Sequence, residues 1–271
     1  MNKLVIITKN DKTYFVERLT KELGQSKVAL FNPWTDLILP EGEHYLVRTT
    51  GIYGSDLDLL MAGTLPPDKL INPMLALKRF RSKSSQYTWF EELDFPVLHW
   101  LPLQGTDALT IEKFFRLYPK VVVKPLIGQG GWGIESHTWS TFKTWWKKRK
   151  GIDESYLLQP LMTGARELRY FFIKGEFSVT LERKSKSGIA ANFKQQGQAS
   201  ETQLPSEFQE TIDHLIDKSG ALYGAIDLFI DEGRLIILEL NTVPGVEQLE
   251  QVTGLNIIQK LLSANFFCHR G

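Results

Sequence analysis

The segment VVVKPLIGQGGWGI, residues 121–134, restricts the fold more than any other. Three valines predict a strand buried on both faces, Lys124 closes it, and Gly128, Gly130 and Gly133 spell G-x-G-x-x-G directly afterwards. In a dinucleotide-binding turn such glycines lead into a helix whose N-terminus receives the pyrophosphate. Here IESHTW follows, which has strand character. The helix dipole is therefore missing, and a P-loop fails too, because no Lys-Ser/Thr follows the glycines. What remains is a β-hairpin flap whose backbone amides can close over phosphates, with Lys124 as a point charge beside it. Taken alone, these residues are equally consistent with a bare surface turn. A lysine after three valines is nonetheless expected to be partly buried, and a buried lysine needs an anion.

A second constraint lies downstream in AIDLFIDEGRLIILELN, residues 225–241, which reads as a hairpin. A three-residue loop, Asp231-Glu232-Gly233, with Gly233 left-handed and a bulge beside it is the expected turn. Asp227 then faces Ile237 and shares a face with Glu239, diagonally across the strands, and Asn241 continues that face. A two-residue Glu-Gly turn would throw Asp227 to the opposite side. Two carboxylates and a carboxamide among Leu, Ile and Phe call for a hard cation bound by oxygens, and Mg²⁺ completes its shell with water and nucleotide phosphates. A half-exposed hairpin with a solvent-facing polar side is the competing reading. The flap with its lysine and the carboxylate–Asn set are complementary halves of one nucleotide site.

The rest of the 271 residues supplies the frame. KLVIIT, KVALF, EHYLVRTT and KLIN read as strands, and DKTYFVERLTKELG and SDLDLLMAG (capped by Ser55) as helices between them: an α/β unit with a mostly parallel sheet. Residues 74–94 are helical in pattern, FPVLHWLP is a strand opened by Pro96, and a helix lies near 109–117. STFKTWWKKRKG is a helix with Ser140 as cap and Gly151 as stop. SYLLQPLM, LRYFFIKG and EFSVTLER predict antiparallel strands, 184–203 a polar loop, and LPSEFQETIDHLIDKSGALYG and roughly 247–265 helices. A net charge of +1 gives no general attraction to nucleic acid or membrane. The single cysteine, Cys268, suits a reducing cytosol, and no apolar run reaches the length of a membrane span. The expected location is cytoplasmic. The five histidines form no metal-ligand spacing.

With SKSSQYTWFEELDFPV, YLLQPLM, RELRYFFIKGE and ANFKQQGQA added in order, the chain from about Asn72 to about Leu262 resembles the ATP-grasp superfamily, nearest to the RimK-like carboxylate–amine ligases. The resemblance implies an α/β N-terminal unit followed by a two-subdomain α+β ATP-grasp fold. Its divisions are a pre-grasp domain over 1–73, a central subdomain with the glycine-rich flap over 74–157 and a C-terminal subdomain with the metal site over 158–271. It implies ATP as cofactor with two Mg²⁺ ions, Mn²⁺ being a substitute. Lys83, Lys124, Gly128, Gly130 and Gly131 are matched to the phosphates. Gln159, Pro160, Leu161 and Met162 are matched to the adenine hinge, and Glu167 to the ribose. Asp227, Glu239 and Asn241 are matched to the metal, and Arg169, Arg183 and Asn192 to the transferring phosphoryl and acyl centre.

The implied activity is ATP-dependent ligation of a carboxylate to an amine, on amino acids or peptides, through an acyl phosphate. A small-molecule kinase on the same grasp and a non-catalytic ATP-binding module are the alternatives. Partners are then ATP, the carboxylate and the amine, without nucleic acid or membrane, and a homo-oligomer is compatible with this. Gln196 departs from the family where a glycine is common, and Pro160 where an acid is common. Lys83 competes with Lys78, Arg79 and Arg81 for its role. The basic run Lys147–Lys150 and the pair Trp145-Trp146 are read as a helix C-terminus and core rather than a base-stacking patch. Arg48 is left open between a surface strand residue and an acceptor-binding group.

Overall fold

The computed structural model describes residues 4–49, 56–128, 130–149, 155–184 and 198–265. The N-terminal unit contains β1 (Leu4–Ile7), α1 (Tyr14–Leu23), β2 (Val28–Phe31), β3 (His44–Val47), α2 (Leu57–Ala62) and β4 (Leu70–Ile71). Its sheet is parallel, in the order β2-β1-β3-β4. The unbroken apolar run of β1 is buried along its whole length, as a central parallel strand requires. Thr13 caps α1 by accepting from Val16 N, and the helix buries Phe15, Val16, Leu19 and Leu23. Ser55, the expected cap of α2, lies outside the described residues.

The helical stretch from 74 divides into α3 (Met74–Arg79) and α4 (Lys83–Glu92). The strand expected over FPVLHWLP shrinks to a single bridge, Val97 with Ile237, and to β5 (Leu101–Pro102). This segment passes from one sheet to another: Pro96 O accepts from Ile237 N, whereas Leu101 pairs with Leu158. After α5 (Ala108–Leu117) come β6 (Val121–Pro125), β7 (Glu135–His137), α6 (Trp139–Arg149) and β8 (Tyr156–Pro160). Their sheet, β5-β8-β6-β7, is antiparallel. Strand, flap and strand follow one another as the sequence predicts. Ser140 is not the cap of α6, because the helix begins at Trp139 and Phe142 N already bonds to Thr138 O. Trp145 is buried in a core with Phe114, Phe115 and Phe142, which bears out the structural reading of the tryptophans.

The C-terminal sheet runs β11-β10-β9-β12-β13, all antiparallel. Its strands are β9 (Arg166–Ile173), β10 (Phe177–Lys184), β11 (Gln198–Thr202), β12 (Tyr223–Asp231) and β13 (Arg234–Asn241). β11 falls inside the expected loop; its sequence QASET carries no apolar alternation because it is an outer strand with little buried surface. α7 (Gln209–Ser219) covers one face. The final helix is in fact two, α8 (Glu247–Thr253) and α9 (Ile257–Leu262), separated at left-handed Gly254 and restarted by the Asn256 cap.

The two faces of this sheet have different partners. Leu168, Tyr170, Phe172, Ile226 and Leu228 pack with α4 and α7. On the other face, Phe171, Ile173, Tyr223 and Ala225 share one core with Leu4, Ile6 and Leu46 of the N-terminal sheet and with α8 and α9. Asn72 locks that junction. Fully buried with φ 59°, it donates Nδ2 to Tyr223 O (3.0 Å) and Thr242 O (2.8 Å). Its Oδ1 accepts from Leu222 N (2.8 Å) and Tyr223 N (3.3 Å). One side-chain amide thus takes the place of a peptide rung at the open end of the β12–β13 hairpin. Among the described residues no helix is long and apolar enough to cross a membrane.

Candidate active site

Along the face shared with the N-terminal unit, apolar residues give way to charge at mid-sheet. Alternation places Glu167 and Arg169 on that face of β9, Arg183 on β10, Asp227 on β12 and Glu239 and Asn241 on β13. The register makes neighbours of them: Arg169 stands opposite Asp227, Asp227 opposite Glu239, Arg183 opposite Glu167, and Asn241 opposite Ala225 one rung along.

The route to this alignment differs from the expected one. The hairpin turns on two residues, Glu232 (φ 49°) and Gly233 (φ 75°), with Asp231 paired to Arg234. Both central residues are left-handed, the type I′ geometry that matches the twist of adjoining strands. Such a turn alone would put Asp227 on the wrong face. The register shifts between Asp227 and Leu228, however: Leu228 pairs with Ile237 and Asp227 with Glu239, so Leu238 is the extra residue of a β-bulge. The bulge restores the common face, and Asp227 faces Glu239 directly instead of Ile237.

Neighbouring elements hold the bulged strand. Tyr87 of α4, fully buried, donates its hydroxyl to Leu238 O at 2.6 Å. Gln86 Oε1 accepts from Leu240 N at 2.9 Å. Burial raises the Tyr87 phenol, so it remains a donor. Neither residue carries a sequence signal of this role; both look like ordinary helix positions.

Across the crevice, Lys124 at the end of β6 donates to Gln159 Oε1 of β8 at 2.8 Å. Burial, together with nearby Lys83, lowers its ammonium to about 8, against the pull of Glu239, Glu167 and Asp227. Lys83 opens α4, its N–H bonded to Leu126 O at the base of the flap, and its Nζ lies 2.9 Å from Glu239 Oε2. Two of the three competing cations are engaged elsewhere: Arg81 forks onto buried Asp58, and Arg79 lies over Trp89. Arg169 Nη1 reaches both oxygens of Asp227 at 3.1 Å, and Arg183 Nη1 reaches Asp227 Oδ1 at 3.4 Å and Glu167 Oε1 at 3.9 Å. Burial, then the Asp227 charge, pushes Glu167 up to about 7 despite Arg183, Lys124 and Arg169.

In the flap, Gly130, Gly131 and Gly133 have φ of 65°, 72° and 75°, which side chains rarely adopt. A Cβ on Gly128 would lie 3.1 Å from Pro125 Cγ. Trp132 is exposed beside them. In the hinge, Gln159 is buried and Leu161 N bonds to Lys120 O. Asn241 Oδ1 accepts from Val243 N at 2.8 Å. Asn192 and Gln196 lie outside the described residues.

Arg48 is not a surface residue. Its guanidinium lies 3.7 Å from the Phe15 ring centroid and donates to Pro244 O at 3.0 Å, just beyond Asn241.

These groups suit an anion with a hard cation. Gln159 Nε2, Arg169 Nε and Arg183 Nε are buried without a hydrogen-bond acceptor among the described residues, a deficit that ligand oxygens would fill. Asp227, Glu239 and the second lone pair of Asn241 Oδ1 are all oxygen donors. Among the described residues no three His, Cys, Asp or Glu side chains form a metal-binding group, so a metal here needs phosphate and water oxygens as well. The crevice is separate from a 720 Å³ cleft between α7 and the β9–β10 turn.

Comparison with known proteins identifies the fold and the family. The chain is 25% identical over 146 residues to a probable alpha-L-glutamate ligase of Picosynechococcus sp., covering 52% of this chain and 48% of that one. It is 25% identical to the tetrahydromethanopterin:alpha-L-glutamate ligase of Methanocaldococcus jannaschii, covering 71% and 68%. In its first matches the chain spans about half the length of the curated relatives. Among solved structures, the D-alanine–D-alanine ligase of Bacillus anthracis complexed with ATP matches with TM-score 0.71 and 16% identity over 95% of this chain and 93% of that one. A Chryseobacterium gregarium RiPP-associated ATP-grasp ligase, in complex with ADP and a leader and core peptide, matches with TM-score 0.70 and 17% identity over 100% and 98%. The fold is therefore that of ATP-grasp ligases. A model of the RimK-like ATP-grasp domain matches residues 104–264, more than half of the sequence, and by that match the chain belongs to the RimK-like ATP-grasp family.

Proposed function

We propose that the protein is an ATP-dependent carboxylate–amine ligase. The observation that carries this reading is the meeting of Asp227, Glu239, Lys83, Arg169 and Arg183 with Lys124 and the flap in one crevice. Lys83, Lys124 and the amides around Gly128, Gly130 and Gly131 hold the nucleotide phosphates. Of the hinge residues, Pro160 has no N–H and that of Leu161 is committed to Lys120, so the donors to the base are sought at Met162 N and at Gln159, whose Nε2 lacks an acceptor among the described residues. Glu167 takes the ribose. Asp227, Glu239 and Asn241 hold Mg²⁺, which when bound neutralises charge on the phosphate oxygens. A second ion and replacement by Mn²⁺ belong to the same proposal.

The substrate carboxylate attacks the γ-phosphorus, giving an acyl phosphate and ADP. The amine then adds to the acyl carbon, phosphate leaves with the carboxylate oxygen, and the amine loses a proton. Arg183 supports the moving phosphoryl and Arg169 the carboxylate or oxyanion, through guanidinium forks suited to planar oxygens. The glutamate ligases and peptide-bound ligases that the chain resembles make an amino acid or peptide the first substrates to try, and the single cysteine makes the cytoplasm the expected place.

Heavy-oxygen labelling tests the mechanism. A substrate carboxylate bearing ¹⁸O should yield inorganic phosphate carrying one label. Unlabelled phosphate beside a true amide product would overturn the acyl-phosphate step, and a stable phosphoester would identify a kinase instead.

A further inference from the structure

Each carboxylate assigned to the metal is already paired with a cation assigned to the nucleotide or substrate. Lys83 Nζ lies 2.9 Å from Glu239, and Arg169 Nη1 lies 3.1 Å from Asp227. These are not loose surface pairs: the side chains of Lys83 and Arg169 are 11% and 10% exposed, and those of Glu239 and Asp227 26% and 19%. At such burial an unpaired charge is costly, so whatever displaces one partner must also satisfy the other.

We infer that Lys83 gates the metal site through its pair with Glu239, so that a divalent ion binds well only together with a nucleotide. An ion arriving alone takes Glu239 but leaves the Lys83 ammonium unpaired beside a double positive charge. A nucleotide arriving alone takes Lys83 but leaves Glu239 without its cation directly opposite Asp227, where like charges repel. Both together satisfy the Lys83–Glu239 pair, with the ammonium on phosphate oxygens and the carboxylate on the metal. The coupling is reciprocal, so each ligand raises the affinity of the other by the same factor. The inference rests on the nucleotide–metal reading of this crevice and adds to it the order of events.

Mn²⁺ binding followed by the electron-spin signal of the free ion tests it without reference to turnover. Metal chelated by free ADP is measured separately and subtracted. Wild type should bind Mn²⁺ weakly alone and much more tightly with saturating ADP. Lys83→Met should bind Mn²⁺ alone about tenfold more tightly than wild type, and its enhancement by ADP should shrink by a similar factor. Lys83→Gln is the second variant, should methionine perturb folding as judged by circular dichroism. If both variants bind Mn²⁺ alone no better than wild type, while wild type with ADP binds it well, the gate is refuted and the nucleotide–metal site stands. If wild type fails to take Mn²⁺ even with ADP, the nucleotide–metal reading falls and the gate with it.

Discussion

Lys124→Met should make the unliganded protein more stable while weakening nucleotide binding. The ammonium falls from 10.5 to about 8 on burial. At 1.36 kcal/mol per pKa step, holding it charged at pH 7 costs roughly 3 kcal/mol. Methionine has similar volume and no charge, but it gives up the 2.8 Å hydrogen bond to Gln159, worth about 1 kcal/mol. A net gain of roughly 2 kcal/mol at pH 7 should result, read as a rise in the urea midpoint at unchanged slope. The sign depends on pH. Because the folded value lies below the unfolded one, the wild type is penalised fully below about 8, and the unfolded chain binds the extra proton between about 8 and 10.5. The variant's advantage should therefore fade across that window and reverse above it. ADP affinity should drop roughly 10- to 100-fold at pH 7, from the loss of charge-assisted hydrogen bonds. In the wild type, affinity should weaken above about pH 8 as Lys124 deprotonates, and the variant should lack that dependence. A variant equally destabilised at pH 7 and above 10.5, or one that binds ADP like the wild type, would refute the buried phosphate lysine.

Glu239→Gln should fold normally yet lose Mg²⁺-dependent ATP turnover by on the order of 10²-fold or more, measured as ADP release; wild-type turnover would remove the metal assignment. Asn72→Ala should cost about 4 kcal/mol in chemical denaturation, since it strips a buried amide from two carbonyls and two N–H groups. A loss under about 1.5 kcal/mol would show that water or a shift of backbone replaces it. Tyr87→Phe leaves the Leu238 carbonyl buried and without its donor, and should cost about 1–3 kcal/mol. It should also weaken Mn²⁺ binding in the presence of ADP, a readout that an ordinary core defect remote from the bulge would not move.

That Lys124, Asp227 and Glu239 would come together was legible because residues of these types are seldom placed in buried strands without partners. A lysine closing a buried strand before a glycine loop, and alternating Asp, Glu and Asn among aliphatic residues, point to phosphate and a hard metal when taken together, although each alone also fits a surface turn or a solvent-facing hairpin. The strand after the flap distinguished a hairpin from a dinucleotide turn, and the structure bears this out. Harder to read were the places where local rules compete. Asp-Glu-Gly and Glu-Gly are both acceptable hairpin turns, and choosing the longer one gave the right face for the wrong reason. Ser140 is a good cap by type, but Thr138 already begins the turn. β11 has no apolar pattern because an outer strand with little buried area needs none.

By itself, the sequence determined most of the strands and helices, though not β11 or the divisions of the helical stretches, and which charged residues must find partners once those segments are buried. Periodicity and turn chemistry act over a few residues and are therefore visible in the chain. Only the tertiary structure decided that Asp227 and Glu239 stand on one rung, because that rests on a bulge at Leu238 whose freed carbonyl is taken by Tyr87, 151 positions away. Likewise Asn72 is unremarkable until the chain brings Tyr223 and Thr242 to either side of it. Lys83 became distinguishable from Arg79 and Arg81 only when each found a different partner. Those choices follow from which groups close packing leaves without water, a property of the assembled molecule that no short stretch of sequence carries.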